Sequence, residues 1–521
     1  MRTPNWVFLF VAFSISLHGC GKSSRRSEKS LMGLKTAQTT SRNRKKNGEE
    51  DNSFFERTEE VSPRRLKIDP NKVDRTPSKT IAAKNNQAEK PQPNIVLPQR
   101  RPPDDRPVLN DQRLENLGIR KYESKRLKLY TDLDAKIAKR LPTMIDHAYS
   151  AWVEYFGELP PNRENTEFQI TGYLMKNREL FRNAKLIPPD LKSFRSGRHK
   201  GLQFWMYDQT YNYYREHLLI HEATHCFMYQ MRAVDFPSWY MEGMAEFFGV
   251  HSVDAHGNYR FGVMPDNEED FQGFGRIQIV RKDCKKSRWV ALPNVRNLNQ
   301  PDYTSTSGYA WSWAMCQFLD TNPKYRNDFR ALRKIHSVAE FNRQYHRRFL
   351  ERQKNLGTEW LLYALELQEG FDIASSAIEF RQGVPLEEGK TTSAIEVKAN
   401  KGWQSSGIEV KEGKTYEIVA TGSFSLGKKP KPWISEPQGV SILYFEKKPL
   451  GRLLVTIHTR TASVDIAKGQ LPEMTKTISV GRGIVLSAPA TGTLYFRVND
   501  SWDSLADNSG TVAVTVKKLR Q

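Results

Sequence analysis

Cysteine is scarce. The chain has 521 residues and four cysteines, Cys20, Cys226, Cys284 and Cys316. Their wide spacing excludes a cysteine zinc site, which needs close pairs. Long apolar runs are missing as well. No segment beyond the N-terminus has 18 consecutive apolar residues, so no spanning helix is expected. Self-similarity at a fixed period is absent, which excludes a repeat array. No nucleic-acid-binding module is legible behind the net charge of +21, and no one folded patch concentrates it. Residues 21–105 alone hold 20 Lys/Arg against 12 Asp/Glu, a net of +8.

The first twenty residues have the pattern of an export signal. Arg2 supplies a positive start, and Trp6 to Leu17 is an apolar run too short to cross a bilayer. It ends in Leu17-His18-Gly19-Cys20, which resembles a bacterial lipobox, in which the cysteine becomes the lipidated first residue. Residues 1–20 are therefore expected to be a signal peptide. The product is either anchored to the membrane of the cell envelope through Cys20 or secreted after ordinary cleavage. If Cys20 carries lipid, three cysteines remain and at most one internal disulfide forms. Residues 21–105 are basic, proline-containing and poor in apolar periodicity, and are expected to be a disordered tether.

Beyond Leu109 the pattern changes. Lys128 to Asp132 ends a strand, and Ala135 to Phe156 has apolar residues at helical spacing. Phe168–Leu174 and Leu202–Tyr207 read as strands, the second an edge strand for an extended peptide or an ordinary core strand. Tyr213 to Met231 predicts a helix, a second helix starts near Ser238, and Ser307 to Leu367 is helical around a turn at Thr321-Asn322-Pro323. From Val384 to Leu519, short alternating runs broken by Gly, Pro and Asp/Asn predict an all-β unit.

Within the first long helix stands His221-Glu222-Ala223-Thr224-His225. Residues i and i+4 share a helix face, so both imidazoles can reach one ion while Glu222 addresses a water. Trp239-Tyr240-Met241-Glu242-Gly243-Met244-Ala245-Glu246 follows on the second helix. Folding that helix back brings Glu242 to the histidines, and two imidazoles with one carboxylate make a catalytic zinc set with an open position. Glu246, one turn on, can accept the second N–H of a ligand histidine; a solvated helix charge is the alternative. His217 reads as a partly exposed helix histidine, and Cys226 as a small buried residue.

This His-Glu-x-x-His and Trp-x-x-Glu-Gly-x-Ala-Glu combination resembles the gluzincin zinc peptidases, the thermolysin- and aminopeptidase-like enzymes, in the texture of the peptidase MA-like branch. The resemblance implies His221, His225 and Glu242 as zinc ligands and Glu222 as general base. It also implies a tyrosine that stabilises the oxyanion. Tyr309, in Ser307-Gly308-Tyr309, is the candidate, with Tyr303 in reserve and a core aromatic as the alternative.

Near the C-terminus, Asn499-Asp500 to Asp507-Asn508-Ser509-Gly510 crowds oxygen donors into one loop, suited to calcium or to a plain acidic turn. With Val397 to Trp403, Gly413 to Gly422 and Pro437-Gln438-Gly439, it resembles the PA-IL-type galactose-binding lectins, calcium-dependent β-sandwiches. That resemblance implies calcium held at the sandwich rim by Asp500, Asp507, Asn508 and the backbone oxygens of Ser504 and Leu426, with glycan as a partner.

The expectation is a multidomain protein. A signal (1–20) and a tether (21–105) precede an α+β zinc peptidase domain (106–384) and an all-β, lectin-like sandwich (385–521). Peptide or protein is the expected substrate. The competing reading is a non-catalytic surface carbohydrate-binding protein on a peptidase-like scaffold.

Overall fold

A computed structural model describes residues 100–231, 236–335, 337–427, 431–459 and 470–520. The expected signal, Cys20 and residues 21–99 of the expected tether lie outside the described residues. The chain is already packed by Arg101, whose backbone N–H donates to the Pro161 carbonyl at 3.1 Å and whose guanidinium reaches the Thr166 carbonyl. Helix and sheet are mixed as far as the helix Gln353–Glu366, and a β-rich part follows.

The first part is built on a five-stranded sheet of β1 (Arg120–Glu123), β2 (Leu127–Thr131), β3 (Ile170–Met175), β4 (Gly197–Lys200) and β5 (Gln203–Tyr207). Its order is β1-β2-β3-β5-β4. The β2–β3 and β3–β5 pairs are parallel and the outer pairs antiparallel. All six residues of β3 are buried, as a central parallel strand requires. Leu202–Tyr207 is thus not the edge: β5 lies inside, and β4 takes the edge beside it. Arg198-His199-Lys200 lacks the apolar content that marks a strand, so the pairing of β4 comes from the hairpin turn at Gly201, where φ is +59°.

The helical expectation for 135–156 resolves into two pieces, Ala135–Ala138 and Leu141–Phe156. Pro142 accounts for the break, because a proline is accommodated in a first turn and not in a helix interior. The longer piece buries Leu141, Met144, Ile145, Ala148, Trp152 and Phe156. The helix Asn212–Gln230 packs against the sheet and the helix Ser238–Gly249, and the helix Thr306–Thr321 lies against the latter. Cys226, Cys284 and Cys316 are buried and unpaired.

The β-rich part has two six-stranded sheets. One runs Gln438–Phe445, Lys448–His458, Gly492–Val498, Gln404–Val410, Val384–Pro385, with Ile478–Ser479 also paired to Lys448–His458; the other runs Ile434–Ser435, Phe424–Ser425, Ser509–Lys518, Thr415–Thr421, Gly483–Ser487, with Ile395–Lys398 also paired to Ser509–Lys518. Alternate residues of both, such as Val455, Phe496, Ile418 and Val514, form one core between them. A second set, including Trp403, Leu454, Tyr495 and Trp502, joins the core of the helical part.

Candidate metal centre

The helix Asn212–Gln230 is buried along nearly its whole length, polar residues included. Glu216, His217, His221, Glu222 and His225 are all less than a tenth exposed. Buried polar groups need partners, and a helix with this many in its middle is built around a site. Glu216 pairs with Arg140 and with His251 Nε2 at 3.5 Å. His217, His221 and His225 converge on the helix Ser238–Gly249.

His221 Nε2 and His225 Nε2 are 3.1 Å apart. Glu242 Oε2 lies 3.2 Å from His225 Nε2 and 3.5 Å from His221 Nε2. Ligands of tetrahedral zinc, each at about 2.0–2.1 Å, are roughly 3.3 Å apart. The three observed separations bracket that value, and the donors are two imidazole nitrogens and a carboxylate oxygen, so the residues fit the ion. Gly243 makes this approach possible. A Cβ there would lie 2.5 Å from Cys316 Sγ and 2.7 Å from the Ser312 carbonyl, so only glycine allows the helix Thr306–Thr321 this close behind Glu242.

Charges divide sharply inside the cluster. Burial would raise the Glu242 carboxyl, but His225 and His221 hold it well below the usual carboxylate range. Burial would lower His221, but Glu242, Glu246 and Glu222 together hold it above the ordinary histidine value. Glu222 is raised, burial outweighing the two histidines. Strand β4 closes over it: a Cβ on Gly197 would lie 2.3 Å from Glu222 Oε1.

Glu246 is the most enclosed carboxylate. Its Oε1 lies 3.4 Å from His221 Nδ1, and its Oε2 lies 3.2 Å from His217 Nε2. Arg276 donates to both oxygens at 3.0 Å. Burial raises this carboxyl, yet Arg276 and His217 bring it well below the ordinary value. His217 is therefore buried, not partly exposed, because it faces Glu246 and not solvent. The half-buried Tyr309 has its ring 6.0 Å from that of His221. Tyr303 packs edge-on against Tyr309, with ring centres 5.1 Å apart, and its hydroxyl is engaged with that of Ser312 at 2.8 Å.

Sequence reasoning missed Arg276 and His199. Arg276 follows Glu246 by 30 residues with no motif around it. His199, whose ring stacks on His225 at 4.5 Å, sits between Arg198 and Lys200 and looks like part of a charged loop. Burial, then the neighbouring His225, push the His199 imidazole down to about 3. Its only sequence signal is its place on β4, the strand that was not foreseen.

Residues 217–339 match a family described as "Protein of unknown function (DUF1570)". The match takes in His217, His221, Glu222, His225, Glu242, Glu246, Arg276 and Tyr309. A solved structure described as "EclA N-terminal domain; PllA-like lectin" is 21% identical over 25% of this chain and 97% of that one, with a TM-score of 0.19. No curated protein matches the chain.

The candidate calcium loop follows the strand Gly492–Val498. Asp500 is buried; its Oδ2 accepts from Asn508 Nδ2 at 2.7 Å and its Oδ1 from the Ser501 N–H at 2.7 Å. Burial pushes the Asp500 carboxyl up to about 6. Asn508 Oδ1 is buried without a hydrogen-bond partner among the described residues. Asp507 is exposed, with Oδ2 at 3.5 Å from where a Gly427 Cβ would stand, beside Leu426. Asp500, Asp507, Asn508 and the Leu426–Gly427 turn thus share one corner, with Ser504 preceding the short turn Leu505–Asp507. The loop is not a free rim. Trp502 stacks on Phe371 at 5.3 Å, and its indole N–H donates to Glu366 Oε2 at 3.2 Å. A large aromatic in the loop drives that surface against the helical part.

Proposed function

We propose that this chain is an exported zinc-dependent peptidase, with zinc held by His221, His225 and Glu242. The observation that carries the reading is the convergence of three lone-pair-bearing atoms at 3.1–3.5 Å beside the buried Glu222. Zinc in such a set supplies a Lewis acid and makes a bound water acidic near neutral pH. Glu222, with its raised pKa, is suited to take a proton from the attacking water and pass it to the leaving amine. Tyr309 donates its hydroxyl hydrogen to the oxygen on which negative charge develops. The edge strand β4 pairs only with β5 among the described residues, so its outer side offers backbone partners to an extended peptide. Gly197 lets that strand come close to the Glu222 carboxylate, where a Cβ would lie 2.3 Å from Oε1. Export, with lipid on Cys20 or ordinary cleavage, belongs to the same reading.

Proteolysis of a peptide library tests it. Zinc-loaded wild type cleaves, and Glu222→Gln loses at least about a hundredfold in rate. Zinc-loaded wild type that cleaves nothing in the library leaves the non-catalytic reading.

A second reading concerns the β-rich part, as a calcium-binding and glycan-binding module. It is favoured by the unpartnered Asn508 Oδ1 beside the Asp500 and Asp507 carboxylates. A hard cation satisfies that oxygen and relieves the repulsion between the two acids. A glycan array probed with and without chelator tests the sugar, separately from the ion.

A further inference from the structure

The helix Ser238–Gly249 carries two carboxylates one turn apart, and His221 stands between them. Its Nε2 faces Glu242 and its Nδ1 faces Glu246. His217, His221 and Glu246 consequently make a second group of donors, all within 4.8 Å of one another, which shares His221 with the first group. A cation in that second group would need His221 as a bridging imidazolate. Glu246 Oε1, 3.4 Å from His221 Nδ1, would then lose that contact, the one that orients the ring.

Arg276 stands against this. Its guanidinium spans both oxygens of Glu246 at 3.0 Å. The arginine is itself held: Nη2 donates to the Tyr214 hydroxyl at 3.3 Å and Nη1 to the Phe274 carbonyl at 3.2 Å. Gly275, at φ +60°, makes the left-handed step that begins its helix. A guanidinium keeps its charge at every accessible pH and matches a carboxylate with two parallel bonds, which an ammonium cannot.

We propose that Arg276 is a positioning residue that occupies Glu246, so that the His217–His221–Glu246 group takes no ion and Glu246 serves only to orient His221 for the single metal. This rests on the zinc reading of His221, His225 and Glu242. Arg276 acts on the metal ligands through Glu246, and its guanidinium carbon also stands 5.9 Å from the centre of the Tyr309 ring.

Cobalt titration of the metal-free full-length chain, followed by visible absorption and elemental analysis, tests the proposal. Wild type takes one cobalt per chain. Arg276→Met takes up to two, with affinity for the first reduced about tenfold or more, the usual scale for a lost outer partner. One ion bound with wild-type affinity and spectrum in Arg276→Met overturns the proposal. Because Arg276→Met leaves Glu246 buried without its partner, the double variant Arg276→Met/Glu246→Gln is measured beside it. With no charge left to balance, it folds, binds a single cobalt, and does so about tenfold more weakly, since an amide oxygen is the poorer acceptor. Wild-type affinity in the double variant also overturns the proposal. Wild type that binds no cobalt and no zinc overturns the zinc reading itself, before any variant is compared.

Discussion

Glu222 holds no metal in the proposed mechanism, whereas His221 and Glu242 do, and this separates their variants. Glu222→Gln is expected to keep about one zinc per chain by elemental analysis while losing its rate; His221→Ala and Glu242→Ala are expected to lose the zinc. Tyr309→Phe removes only a hydroxyl. It is expected to keep zinc and KM, and to lower kcat by about a hundredfold, on the order of 3 kcal/mol of transition-state stabilisation. An unchanged kcat would return Tyr309 to the core aromatics. The two histidines and Glu222 were legible because a five-residue helical pattern encodes its own geometry. Arg276 and His199 were not, because nothing local distinguishes an arginine that will be buried against Glu246 from the many that stay in water.

Helices and strands brought these residues together through close approaches that only small side chains permit. Gly243 is the clearest. A methyl group there meets Cys316 Sγ and the Ser312 carbonyl at under 3 Å, so either the helix Thr306–Thr321 or the helix Ser238–Gly249 must move. Gly243→Ala is expected to destabilise the fold by about 1–3 kcal/mol, the scale of overpacking, and to weaken zinc binding by moving Glu242. Denaturant titration and metal affinity check the two effects, and full zinc affinity would show that Glu242 tolerates the shift. The pair of long helices was foreseeable from its period. The break before Leu141 stands in the sequence as Pro142, whereas the edge position of β4 does not show, because a run of charges around His199 gives no alternation to read.

At the scale of the molecule, the helical and β-rich parts share a hydrophobic core. Trp502 lies within it, stacked on Phe371 with Arg497 at 3.8 Å over its ring. Trp502→Ala is expected to cost about 3–5 kcal/mol, the usual range for a buried tryptophan, measured by denaturant unfolding. Asp500 and Asn508 are on the same loop, so millimolar calcium is expected to raise the melting temperature of the whole chain. At a hundred times its dissociation constant, an ion that binds only the folded state adds about 2.7 kcal/mol. Asp500→Ala with Asp507→Ala should remove that response, and a wild-type melting temperature indifferent to calcium and chelator would make the loop a plain acidic turn.

The sequence by itself determined the mixed order of elements, the change to β structure near Val384 and the candidate donors His221, His225 and Glu242, because periodicity and i,i+4 spacing are local properties of the chain. Tertiary structure alone decided that β4 takes the sheet edge, that His217 and Arg276 close around Glu246, and that Trp502 ties the β-rich part to the helices. The last two are contacts between residues far apart in sequence, set by which buried charge and which aromatic surface find a partner when the chain collapses; the first depends on no further strand pairing beyond β4 among the described residues.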